Sequence, residues 1–104
     1  MSLLASTRPA AAATVAVYTV PTQRRATVNV NCCNTGTAAS KVRLAVSAEA
    51  TAPLATQWIE WDVELPASGV LERTGIVLSA GQKVFARSDT GGVTVNVWGI
   101  EELA

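Results

Sequence analysis

Apolar and polar residues alternate along most of this chain in short runs, and Pro, Gly, Asn and Asp break the runs apart. A period of two is the signature of a half-buried strand. The first run covers residues 14–20 and stops at Pro21. The second covers 26–33, with Val28, Val30 and Cys32 on one face and Thr27, Asn29, Asn31 and Cys33 on the other; the turn Asn34-Thr35-Gly36-Thr37 closes it. In the third, 41–47, Val42, Leu44 and Val46 face inward. After a longer connection over 48–56, residues 57–64 alternate sharply, which predicts Ile59, Trp61 and Val63 inside and Trp58, Glu60, Asp62 and Glu64 outside. Residues 70–78 form a fifth strand, with Gly75 the expected site of a bulge. Residues 83–88 and 93–101 complete the set, separated by the turn Asp89-Thr90-Gly91-Gly92.

Strands at this spacing, with no helical stripe of useful length between them, predict one all-β domain. The expected form is an antiparallel β-sandwich of about seven strands, immunoglobulin-like or jelly-roll in layout. Residues 1–11 show no strand period and are expected to form an N-terminal arm, disordered or laid on a neighbour, ahead of a sandwich domain over 12–104. Composition agrees. Hydrophobic residues make up 49% of the chain, largely as Ala and Val, and Thr is frequent. Val and Thr are stiff at χ1 and favour a pleated surface.

Charge narrows the function classes. Charged residues are only 15% of the sequence, against about 25% in a typical domain, and eight basic residues balance eight acidic ones. A neutral chain offers no footprint for a phosphate backbone, so no nucleic-acid partner is expected. It also lacks the self-repulsion that keeps proteins apart. The most apolar early stretch, residues 10–20, is interrupted by Thr14, Tyr18 and Thr19, so no membrane-spanning helix is expected. Residues 1–5 have neither a basic region nor an apolar run of leader length.

Candidate chemistry is sparse. The chain has no histidine, which removes the side chain best suited to proton transfer near neutral pH and any Ser–His–Asp or Cys–His arrangement. The expectation is a protein that is not an enzyme and carries no cofactor. Glu60, Asp62 and Glu64 are predicted on one strand face with about 7 Å between successive members. That spacing suits a solvated face first; a shared hard cation such as calcium, or carboxylates flanking a glycosidic bond, are the sharper alternatives. Cys32 and Cys33 leave a strand on opposite faces, which argues against a bond between them. Cys32 is expected to be buried as a small hydrophobe. Cys33 is expected to point outward, free or in an intermolecular disulfide. Trp58 and Trp98 fall opposite the Val and Ile stripes. With Ile100 and the apolar tip of the arm, Leu3 and Leu4, they are candidate subunit contacts, because aromatic residues are enriched at interfaces.

Three segments carry a family resemblance. Tyr18-Thr19-Val20-Pro21 followed by Val28-Asn29-Val30-Asn31-Cys32-Cys33-Asn34-Thr35-Gly36 resembles the opening of small virion structural proteins of tailed bacteriophages. Trp58-Ile59-Glu60-Trp61-Asp62 and Leu71-Glu72-Arg73-Thr74-Gly75-Ile76-Val77-Leu78-Ser79-Ala80-Gly81 are similar to their middle, and Val95-Asn96-Val97-Trp98-Gly99-Ile100-Glu101-Glu102 to their closing strand. The likeness spans about residues 14–102 and rests on strand-and-turn patterns. It implies a β-sandwich building block of the virion, made in the host cytoplasm and placed in the capsid surface, neck and collar, or tail. Its partners would be copies of itself and other virion proteins. The family has no shared catalytic motif, and the paired cysteines depart from its pattern. A carbohydrate- or surface-binding module, with a glycan as partner, is the alternative.

Overall fold

The computed structural model describes residues 2–104, and all the regular structure in them is β. Eight strands follow one another: β1 (Ser2–Thr7), β2 (Val15–Thr19), β3 (Arg24–Asn34), β4 (Ser40–Ser47), β5 (Trp58–Leu65), β6 (Val70–Leu78), β7 (Lys83–Ser88) and β8 (Val93–Leu103). They pair antiparallel in two four-stranded sheets, ordered β1-β8-β3-β6 and β2-β7-β4-β5. The first strand thus lies beside the last, the second beside the seventh, the third beside the sixth, and the fourth beside the fifth. A chain doubled into that nested hairpin, then rolled so that alternate pairs fall in opposite sheets, is a jelly roll. Of the two expected layouts the immunoglobulin one is therefore set aside.

Seven strands lie where the alternation predicted them, to within a residue or two. The eighth comes from the segment expected to be an arm. Residues Ser2–Thr7 lie along β8, with Ser2 opposite Gly99 and Thr7 opposite Val95. Without β1, β8 would present an open edge of unpaired N–H and C=O groups. Pairing there satisfies them and packs Leu4 and Ala5 against the core. The following residues are also tied down: Pro9 is buried, and the Ala12 N–H, at φ 60°, donates to the Ser88 carbonyl at 2.7 Å.

The core fills the space between the sheets with small branched side chains. Val28, Val30 and Cys32 of β3, Val42 and Leu44 of β4, and Val93, Val95 and Val97 of β8 are all buried, as their periodicity predicted. Gly99 continues the inward row of β8 because nothing larger fits. A Cβ there would collide with the Thr27 carbonyl oxygen of β3 and stand 2.9 Å from Val28 Cα. Gly75 marks the expected bulge: its φ is 70°, the β3–β6 register slips between Val28 and Val30, and its N–H donates to Asn29 Oδ1 at 3.0 Å.

One end of the sandwich is knotted by Asn34, which is 1% exposed. Its Nδ2 donates to the carbonyls of Ala38 (2.9 Å) and Leu65 (3.0 Å), and its Oδ1 accepts from the Gly36 N–H (3.0 Å). Its backbone carbonyl accepts from the Ser68 N–H, and its own N–H donates to Gly69. A turn asparagine satisfies local backbone groups in this way, and here it also joins the β3–β4 and β5–β6 connections. Beside it, Asp89 accepts from Ser40 Oγ (2.9 Å) and the Lys41 N–H (2.8 Å), bonds that hold its carboxyl below the usual range.

Candidate interaction surfaces

The outer face of the β1-β8-β3-β6 sheet is built from the outward residues of four strands, and the register places them in rows. Leu3, Trp98 and Asn29 make one row; Ile100, Thr27 and Val77 make the next. Leu3 is 62% exposed, Val77 73% and Ile100 45%, while Trp98 is half-buried among them. On the other side lie Ser6, Asn96, Asn31 and the exposed Glu72, with Ser6 Oγ donating to Asn96 Oδ1 at 2.7 Å. The charges nearest the Ile100 end, Arg25 and Glu102, pair with each other at 3.4 Å. The result is an apolar strip framed by polar residues, among them the Arg25–Glu102 pair and Glu72. Leu3, Trp98 and Ile100 are thus brought together as candidate contacts. Leu4 is not with them: it follows Leu3 in the strand, so it leaves on the opposite face and packs against the core.

Cys33 lies on the same face, at the corner where its neighbours across the ladders are Val70 and Thr94. It is half-buried and free; Cys32 is free and fully buried. Burial, with a smaller contribution from the Glu60 carboxylate, pushes the Cys32 thiol up to about 12. On the opposite side of the core, burial and the 2.5 Å bond to Glu101 raise Tyr18 above its ordinary range.

The remaining candidate, Trp58, sits on the other sheet, and β5 there departs from the predicted alternation. The β4–β5 register slips between Val42 and Leu44, and again between Leu44 and Ala45. Trp61 and Asp62 both fall opposite Arg43 at the first slip, and Ile59 is left over at the second. Two bulges so close together re-aim side chains that a regular pleat would have sent elsewhere. Trp61, expected inside, is 56% exposed, and Ile59 is 36% exposed. Glu60, expected outside, turns toward the interior and pairs with Arg73 of β6 at 3.0 Å. Asp62 adopts φ 52°, the left-handed region that non-glycine residues rarely occupy.

Trp61 is held from two sides. The Arg43 guanidinium lies 3.6 Å from its ring centroid, and the Trp58 ring meets it edge-on at 5.3 Å and 74°. Arg43 is fixed in turn by Asp62, with Nε donating to Oδ1 at 2.6 Å and Nη2 to Oδ2 at 3.3 Å. That bond holds the Asp62 carboxyl below its usual range. Trp58, Trp61 and Ala55 line a concavity of about 300 Å³. The sequence pattern missed Trp61 and Arg43 as site residues; only the doubled Trp-x-x-Trp spacing hinted that the rings meet.

The three carboxylates expected on one face are separated. Glu60 serves Arg73, Asp62 serves Arg43, and Glu64 stands exposed opposite Lys41. Among the described residues no group of acidic and cysteine side chains is arranged to hold a metal ion, and no helix is long and apolar enough to cross a membrane. Fold and surfaces together define a small jelly roll with an apolar strip on one sheet and a tryptophan corner on the other. No family model, curated protein or solved structure matches the chain.

Proposed function

We propose that this is a non-enzymatic structural protein of a bacteriophage virion, which assembles with copies of itself and docks on other virion proteins. The observation that carries this reading is the strip of Leu3, Trp98, Ile100 and Val77 across one sheet, with polar residues around it. Exposed apolar groups gathered in one patch and framed by polar ones mark a surface that associates. The molecule measures 42 × 29 × 18 Å, so its broad face is large enough for the roughly 800 Å² that each partner buries in a stable complex. Support for the virion comes from the three segments that resemble tailed-phage structural proteins. Jelly rolls also build viral capsid domains, though the same fold serves lectins, so the fold alone does not decide.

The test is the solution mass of the purified chain by light scattering, with and without reductant. A discrete oligomer is the expected result. Its loss on reduction would assign Cys33 to an intersubunit bond, whereas persistence would assign assembly to the apolar strip. A monomer that also fails to bind purified capsids, necks or tails would refute the proposal.

A further inference from the structure

The tryptophan corner lies on the sheet opposite the strip and is built with more care than an incidental patch. Two bulges and a left-handed aspartate are spent within five residues of β5, and their combined effect is to turn Trp61 outward. Backbone strain and bulges of this kind collect where a side chain must be presented in one orientation. The presented ring is also fixed. Arg43 backs it, Asp62 locks Arg43 with a two-bond fork, and Trp58 stands against its edge. A ring held in this way loses little freedom when something stacks on it, which is the condition for useful affinity at a small site.

The concavity in front of the rings narrows the ligand class. It is lined by Ala55, Trp58 and Trp61, none of them charged, and its volume of about 300 Å³ lies at the low end for small-molecule sites. Arg43 and Asp62, the charges that steady the ring, pair with each other, with Lys41 and Arg87 also close to Asp62; none of the four lines the concavity. Arg43 and Asp62 nonetheless keep spare polar groups next to Trp61 for a ligand that extends past the ring: the fork uses two of the five guanidinium N–H groups, and the Asp62 carboxylate is partly exposed. The matching ligand is uncharged, compact, apolar on one plane and hydroxylated at its edge. A pyranose ring has that form, with C–H groups on one face and hydroxyls around the rim.

We propose that the corner of Ala55, Trp58 and Trp61 binds a neutral saccharide, one sugar ring stacking on Trp61. The site shares no residue with the apolar strip, so it stands or falls independently of self-assembly. It would give the protein a glycan-recognising surface that remains available after the strip is covered.

The experiment follows tryptophan fluorescence while the full chain is titrated with tetrasaccharides of glucose, mannose, galactose and N-acetylglucosamine, and with sialylated and sulfated glycans for comparison. Saturable binding of at least one neutral tetrasaccharide is expected. Trp61→Ala should weaken it by about tenfold or more. Ala55→Phe, which fills the corner from an exposed connection, should abolish it with an unchanged melting curve, and Val77→Asp on the far sheet should leave it intact. Absence of saturable binding by every neutral sugar, preference for the acidic glycans, or equal binding by the Ala55→Phe chain would overturn the proposal. A change of solution mass in Trp61→Ala without a change in sugar binding would overturn it too, assigning the corner to contact between copies.

Discussion

Replacing Asn34 with alanine removes four side-chain hydrogen bonds at 2.9–3.3 Å and strands the groups that made them. A typical bond contributes about 1 kcal/mol net, and a buried group left without a partner costs about 1–3 kcal/mol. The Leu65 carbonyl is such a group, since its bond to Asn34 is buried. In the native chain no described buried side-chain polar atom is unpaired. The expected loss is about 3 kcal/mol, which in a domain of this size lowers Tm by about 12 °C or more. Urea unfolding followed by tryptophan fluorescence measures it, with an unchanged m-value showing that the same surface is exposed. Asn34→Asp sharpens the test. It keeps the acceptor for the Gly36 N–H but sets a carboxylate against the carbonyl oxygens of Ala38, Leu65 and Pro66. Those oxygens favour the protonated acid, so the folded state binds a proton more tightly than the unfolded one. Stability of that variant should therefore rise as pH falls. A loss below about 1 kcal/mol in Asn34→Ala, or no acid recovery in Asn34→Asp, would refute the assignment of Asn34 as the tie between the two connections.

The two thiols should separate in reactivity: in the native chain a thiol reagent labels Cys33, and Cys32 reacts only after unfolding; rapid labelling of both would contradict the burial described. Because the folded Cys32 thiol is raised from 9.0 to about 12, its contribution to stability is complete below pH 9 and is lost as pH climbs toward 12. Alkaline melts of Cys32→Val should show a later fall than those of the native chain, and coincident curves would contradict this. Deleting residues 2–7 bares the β8 edge, so it should both lower Tm and promote aggregation. An unchanged melt with no aggregation would mean that β1 does not pair with β8 in solution.

The periodicity located most strands because their inward residues are small, β-branched and regularly spaced; Val28, Val30 and Cys32 are placed inside by their spacing alone. Three features escaped it for physical reasons. Residues 2–7 carry no alternation, and they become a strand because β8 supplies an edge about ninety residues away in the chain. In β5 the alternation was present but misleading. Each bulge advances the phase by one residue, so a face assignment made before the first slip fails after it. That is why Trp61 emerged and Glu60 turned in. The choice between jelly roll and immunoglobulin layout depends on which distant strands pair, and local pattern does not encode it. Of the candidate contacts, Leu3, Trp98 and Ile100 converge, Leu4 turns inward, and Trp58 belongs to a different surface.

A charge placed on the strip without touching the core tests whether assembly uses this face. Val77 is 73% exposed, so Val77→Asp should leave the melting temperature of the fold nearly unchanged. Light scattering on native and Val77→Asp chains at matched concentration then reads the surface itself. A discrete oligomer is expected for the native chain and a monomer for the variant. An oligomer that survives the substitution intact would show that assembly does not use this face.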